Sequence, residues 1–272
     1  MSEVVEIAKT YYDSTDADTF YFTIWGGEDI HIGLYEDGDT VYDASRKTVQ
    51  KMIETLPEIN ENTRVLDIGS GFGGAARYIA KTTGAHVTAL NLSTVENERN
   101  RKMNREQGLE ERVDVVDGSF EELPFDDDSF DVVWSQDAIL HSGNREKVIE
   151  EVARVLKEGG SFVFTDPMMT DDCPLDTLQP VLDRIHLATL GSPGFYRSAA
   201  QKNGLREAAF IDLSPQLPVH YSRIHQETEK KEEELQKLVS SEYITNMKKG
   251  LQHWVDAGYA GRLAWGIFRF DK

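Results

Sequence analysis

Arg64-Val-Leu-Asp-Ile-Gly-Ser-Gly-Phe-Gly-Gly74 is the stretch on which the fold depends. Val65, Leu66 and Ile68 make a short apolar run with Asp67 set into it, the pattern of a buried strand. Glycines crowd its exit, where the backbone must turn tightly and approach a ligand closely. Ala75, Ala76, Tyr78, Ile79 and Ala80 follow at helical spacing. The stretch therefore predicts a strand, a tight turn and a helix whose free N–H groups face an anion.

Gly69, Gly71 and Gly74 also satisfy G-x-G-x-x-G, which is common to dinucleotide sites. Asp67 separates the two readings. It stands two residues before the first glycine, on the strand lip where open α/β sheets bind ligands. A carboxylate there repels a pyrophosphate and attracts a cation, such as the amino group of S-adenosylmethionine (SAM). A plain α/β turn without a ligand is the bland alternative.

Around this centre the chain has 272 residues, enough for one elaborated domain with a sizeable core. The formal net charge is −19, from 48 acidic against 29 basic residues. Such a surface repels nucleic-acid phosphates and disfavours DNA or RNA as substrate. It also suggests adaptation to high salt, where counter-ions screen self-repulsion. No apolar run approaches the roughly 20 residues that span a bilayer. The opening Met-Ser-Glu-Val-Val-Glu lacks a signal-peptide pattern, and Cys173 is the only cysteine. A soluble cytoplasmic protein is expected, with no membrane and no nucleic-acid partner.

Residues 1–42 are rich in aromatics, including Tyr11, Tyr12, Phe20, Tyr21, Trp25 and Tyr35. Val4, Val5, Ala8, Tyr11 and Tyr12 suggest a short helix, and Gly26, Gly27 and Gly33 break the remainder of the segment into loops. The segment reads as a lid. Residues 43–170 read as the cofactor-binding core. They comprise a helix over 43–56, the key strand and helix, and a strand His86–Asn91. A polar helix from about Thr94 to Gln107 comes next, then strands Val113–Asp117 and Phe130–Ser135. Asn144 caps a helix over Arg145–Leu156 that ends at Gly159-Gly160, before a strand over Ser161–Asp166. This alternation predicts a doubly wound parallel sheet. Residues 171–272 complete the sheet with strands Arg206–Ser214 and Arg262–Phe270. They carry helical cap insertions at 171–204 and 218–258, the latter a cap or a homo-oligomer contact.

The candidate chemistry lies at strand ends. Asn91, with Leu92 beside it, ends the second strand, where a ribose hydroxyl pair is usually held. Glu96 on the next turn supplies a carboxylate that asparagine lacks. Asp117, Ser119 and Phe120 follow the third strand and suit an adenine edge and face. Ser135, Gln136 and Asp137 leave the fourth strand, and His141 comes four residues later. His31, His86, His186, His220, His225 and His253 show no metal-ligand spacing, so no metal is expected.

Together, Val-Leu-Asp-Ile-Gly-Ser-Gly-Phe-Gly-Gly, Gly-Ser-Phe-x-x-Leu-Pro-Phe and Phe-Asp-Val-Val-Trp-Ser-Gln-Asp-Ala-Ile-Leu-His resemble the SAM-dependent methyltransferases. Trp-Ser-Gln-Asp-Ala at 134–138, Thr-Asp-Pro-Met at 165–168 and Leu-Asp-Arg-Ile at 182–185 narrow the resemblance. So do Gly-Phe-Tyr-Arg-Ser at 194–198 and Asn-Met-Lys-Lys-Gly-Leu-Gln-His-Trp at 246–254. They are similar to the sarcosine/dimethylglycine N-methyltransferases of glycine betaine synthesis.

The resemblance implies a class I, seven-stranded, mostly parallel sheet with its last strand antiparallel. It places the SAM methionine over Gly69–Gly71 with Asp67, the ribose near Asn91 and Glu96, and the adenine near Ser119 and Phe120. Asn91 departs from the acidic residue usual in the superfamily. Related small-amine methyltransferases pair an N-terminal tyrosine with a histidine after strand four, and Tyr12 and His141 match those positions. A carboxylate substrate needs a fixed cation, for which Arg197 is the first choice and Arg184 the second. Pairing of both arginines with surface acids is the plain alternative. Trp25, Tyr35 or Tyr221 would face a quaternary ammonium product.

The expected activity is N-methylation of sarcosine or dimethylglycine. The rivals are a phosphoethanolamine, tocopherol-like or sterol-like acceptor. Different in class are an NAD-dependent dehydrogenase and a SAM-binding protein without turnover.

Overall fold

The computed structural model describes residues 3–185 and 187–272, so His186 lies outside the described residues. In chain order the elements are α1 (Glu3–Tyr12), α2 (Thr15–Trp25), α3 (Val41–Glu54), β1 (Arg64–Ile68), α4 (Gly74–Thr83), β2 (His86–Asn91) and α5 (Thr94–Glu106). Next come β3 (Val113–Asp117), β4 (Phe130–Gln136), α6 (Arg145–Val155), β5 (Leu156–Thr165), β6 (Met168–Met169), α7 (Gln179–Ile185) and α8 (Pro193–Lys202). The chain ends with β7 (Arg206–Asp212), α9 (Gln216–Lys230), α10 (Glu232–Leu235), α11 (Ser241–Tyr259), β8 (Leu263–Ala264) and β9 (Gly266–Asp271).

Seven strands form one sheet in the order β3-β2-β1-β4-β5-β9-β7. β1 to β5 pair in parallel, and β9 runs antiparallel to both its neighbours. This is the doubly wound class I methyltransferase sheet that the sequence predicts. The order reverses at β1, so a crevice opens at the carboxyl ends of β1 and β4.

Alternation along β1 feeds both faces of the sheet. Leu66 and Ile68 pack with Val133, Phe162 and Phe164 and with Val148 and Val152 of α6. Val65 packs on the opposite face with Trp134 and Val163, against Val49 and Met52 of α3 and Ile79 of α4. Each such fully buried apolar side chain contributes about 1.5–3 kcal/mol. A third cluster joins Phe20, Tyr21 and Ile24 of α2 to Ile224 of α9 and Met247 and Leu251 of α11. A fourth joins Val181 and Leu182 of α7 to Leu217 and Trp254. The N-terminal helices and the insertion helices therefore share one core.

Three expectations are corrected. Residues 15–25, expected as loop, form α2: Ser14 accepts from the Ala17 N–H at 3.2 Å, and Ala17, Phe20, Tyr21 and Ile24 give it a buried face. The closing strand breaks at Trp265, because β8 pairs with β6 while β9 joins the main sheet. Helix α6 stops at Val155, so Gly159 and Gly160 lie inside β5 and not at a helix end. The Asn144 cap is present, accepting from the Lys147 N–H at 3.1 Å.

Candidate active site

At the exit of β1, the Gly69 N–H donates to the Leu90 carbonyl at 2.8 Å. Gly69 has φ +75°, and a Cβ there would lie 2.4 Å from the Ala138 Cβ. Backbone and space both require glycine. The turn opens a cleft of about 920 Å³, counting space open to solvent. Asp67, Gly69, Gly71, Asn91, Leu92, Glu96, Ser119, Phe120 and Gln136 all line it. Asp117 does not: it accepts from Asn97 Nδ2 at 2.8 Å and pairs with Arg101 at 2.5 Å, which ties β3 to α5. The expectation that Asp117 accepts from adenine is corrected.

Two buried carboxyls give the cleft its chemistry. Burial pushes Asp67 up to about 7, with Asp29 adding to the shift and His31 opposing it. Burial likewise pushes Glu96 up to about 7. Asn91 Nδ2 donates to Glu96 Oε2 at 2.8 Å, so Asn91 orients the carboxylate that follows it. The Trp134 indole donates to Gln136 Oε1 at 3.0 Å. That leaves Gln136 Nε2 buried with no protein acceptor, and Ser70 Oγ is likewise buried without a partner. A cleft with two acids, an aromatic ring and two spare polar atoms fits the amino group, ribose and base of SAM.

A second cavity, of about 710 Å³ with its solvent-open space included, adjoins the first. Tyr12, Ile30, His31, Asp137 and His141 line both. Helix α1 brings Tyr12 to the seam, where its hydroxyl meets His141 Nε2 at 2.9 Å. Asp13, next along, accepts from the Ser93 hydroxyl at 2.7 Å and fastens α1 to the start of α5. Burial, then the charges of Arg145 and Arg184, pull His141 down to about 4, so its ring is neutral at physiological pH. Burial opposes charge on His31 too, but Asp29 beside it outweighs that and holds it above the usual imidazole range. Asp137 has φ +50°, uncommon for a residue with a side chain. Its carboxylate accepts from the Ile32 N–H at 2.7 Å and the Trp265 indole at 2.8 Å, tying the N-terminal segment to the break after β8.

The two arginines separate cleanly. Arg197 on α8 is 41% exposed, pairs with Glu207 at 2.7 Å, and lies over the Phe210 ring at 4.9 Å. It lines neither cavity, so its place as first choice for a substrate carboxylate is corrected: its charge is spent on a surface acid. Arg184 on α7 lines the second cavity. It is half-buried, its Nη2 donates to Met247 Sδ at 2.6 Å, and the ionisable groups nearest it belong to Tyr11, Tyr21, Tyr221 and Tyr243; among the described residues no carboxylate pairs with it.

Trp25 and Tyr221 also line this cavity, the latter stacked on Trp254 at 4.9 Å. Tyr35 does not line it. Its hydroxyl meets His220 Nδ1 at 2.9 Å, so it supports a lining residue and is corrected as a direct contact. Burial pushes His220 down to about 3, and it stays neutral. Sequence reasoning did not single out Tyr11, Tyr21, His220 and Trp254 as pocket residues. Among the described residues no cluster of His, Cys, Asp and Glu is arranged to hold a metal ion. Among them, too, no helix is long and apolar enough to cross a membrane.

A methyltransferase-domain family profile matches residues 66–164. The chain is 54% identical over 271 residues to a sarcosine/dimethylglycine N-methyltransferase of Halorhodospira halochloris, covering 99% of this chain and 97% of the relative. It is 55% identical over 270 residues to the enzyme of that name from Aphanothece halophytica, covering 99% and 98%. A crystal structure of a proposed sarcosine dimethylglycine methyltransferase from Galdieria sulphuraria superposes with a TM-score of 0.90 at 42% identity. That match covers 96% of this chain and 98% of the other.

Proposed function

The chain belongs to the sarcosine/dimethylglycine N-methyltransferase family, and from that premise we propose that it methylates these amines to glycine betaine where Tyr12, His141 and Arg184 meet. It is a SAM-dependent enzyme. SAM supplies a methyl group made electrophilic by the sulfonium that carries it.

In the first cavity, Glu96 accepts from the ribose hydroxyls, Asp67 meets the amino group, and Phe120 packs on the base. The protein's task in the second is to hold an unprotonated amine in line, because positioning supplies most of the rate. His141, neutral and bonded to Tyr12, accepts the proton that the arriving ammonium gives up and passes it to water, leaving the nitrogen lone pair free. Arg184 offers a planar fork to the acceptor carboxylate. The Trp25 and Tyr221 rings face the growing ammonium charge.

By role, 1–42 is a lid whose α1 carries Tyr12, 43–170 holds the cofactor, and 171–272 caps the acceptor. A small zwitterion also suits a protein of charge −19 better than a nucleic acid does. Family membership removes the dehydrogenase reading.

The observation that carries this reading is the 2.9 Å Tyr12–His141 contact at the seam of two cavities, with a half-buried arginine lacking an acid partner in the same pocket. Labelled SAM with sarcosine, dimethylglycine, phosphoethanolamine, a phenol and a sterol tests it. Labelled betaine is the expected product. Turnover of phosphoethanolamine or a lipid without dimethylglycine rules the proposal out, and SAM binding without any turnover leaves only a binding protein.

A further inference from the structure

Gly250 lies in the middle of the 19-residue helix α11. An interior glycine weakens a helix relative to alanine, so a packing reason is expected there. Its φ is not in the left-handed region, so the backbone itself does not require glycine. The reason stands opposite: a Cβ at position 250 would lie 1.9 Å from Arg184 Cδ and 2.2 Å from Nε. Arg184 leaves α7 and crosses α11 at that bare Cα. On the same face of α11, Leu251 and Trp254 line the acceptor cavity alongside Arg184.

We propose that Gly250 is a positioning residue for acid recognition: its missing side chain is the notch through which the Arg184 guanidinium reaches the acceptor pocket. This rests on the reading that Arg184 meets the acceptor carboxylate. Gly258, further along α11, marks the contrast. A Cβ there would lie 2.8 Å from the Pro218 ring, a fixed group of α9, so a side chain would part the two helices. At position 250 the opposing atoms belong to a flexible side chain. In Gly250→Ala the helices stay together, and the arginine moves from 1.9 Å to an ordinary contact beyond 3.4 Å. A shift on that scale is enough to misplace a bidentate contact.

The test compares wild type, Gly250→Ala, Arg184→Met and the double variant. It reads kcat, KM for dimethylglycine, S-adenosylhomocysteine affinity by calorimetry, and melting temperature. Gly250→Ala is expected to raise the dimethylglycine KM about tenfold or more. S-adenosylhomocysteine affinity should stay within about twofold, and the melting temperature should not fall. Arg184→Met should raise KM at least as far, and the double variant should be no worse than Arg184→Met, since the notch has no role without the arginine. An unchanged KM in Gly250→Ala, beside a raised one in Arg184→Met, overturns the notch alone. An unchanged KM in Arg184→Met overturns the underlying reading of Arg184. A Gly250→Ala protein that loses melting temperature and cofactor-product affinity together shows the glycine to be packing only, which also overturns the proposal.

Discussion

Asp67→Asn, followed across pH, probes the cofactor cleft through its charge. In the free protein burial holds Asp67 up to about 7, and Glu96 likewise. A bound cation and ribose hydroxyls favour both carboxylates ionised, so binding must release any proton they carry. Both groups are largely ionised at pH 8 and largely protonated at pH 6. Linkage then gives about a tenfold loss of affinity per group over that interval, or about 1.4 kcal/mol each. Wild type should thus bind S-adenosylhomocysteine about a hundredfold more weakly at pH 6 than at pH 8, and Asp67→Asn only about tenfold more weakly, from Glu96. Titration of the ligand's own amine cancels in the comparison. The sign also extends to stability. A carboxyl whose folded value is raised penalises the fold above that value, and the penalty is relieved as pH falls from 7 towards 4, so the free protein gains from acid what the complex loses. Calorimetry at three pH values reads the slopes. Equal slopes in wild type and Asp67→Asn would refute the placement of Asp67 against the cofactor's cation.

Tyr12→Phe keeps the ring and removes the hydroxyl bonded to His141; kcat should fall about 10²-fold, and S-adenosylhomocysteine affinity by calorimetry should change far less. Gly69→Ala should abolish cofactor-product binding by calorimetry, since a Cβ there meets Ala138 at 2.4 Å and the backbone has φ +75°. With a net charge of −19, melting temperature should rise from low salt towards molar salt; a flat series would show that self-repulsion does not limit stability.

The cofactor half of the site was legible because its signals are local. A strand, a glycine turn and a helix fall within about twenty residues, and each later strand end adds one polar residue to the same lip. Asp117 is the exception, since nothing local reveals that Arg101 and Asn97 of α5 claim its oxygens. The acceptor half is assembled from α1, α2, α7, α9 and α11, which meet only through tertiary packing. Arg184 and Arg197 look alike in sequence, each beside helical apolar residues. What separates them is that Glu207 on β7 lies within reach of one and not the other. Tyr35 was placed one step too close for the same reason: the side chain in the cavity is that of His220, 185 residues away in sequence. His141 is legible from its place just past the fourth strand, but Tyr12 and the pairing of the two come from family resemblance, and their contact spans 129 positions that no spacing rule connects.

A crystal structure with S-adenosylhomocysteine and betaine bound reads the arrangement directly. The account predicts the betaine carboxylate on the Arg184 guanidinium and its methyl groups beside Tyr12, His141 and Trp25. A carboxylate held by Arg197, or by any group outside the cavity that Arg184 lines, would contradict it.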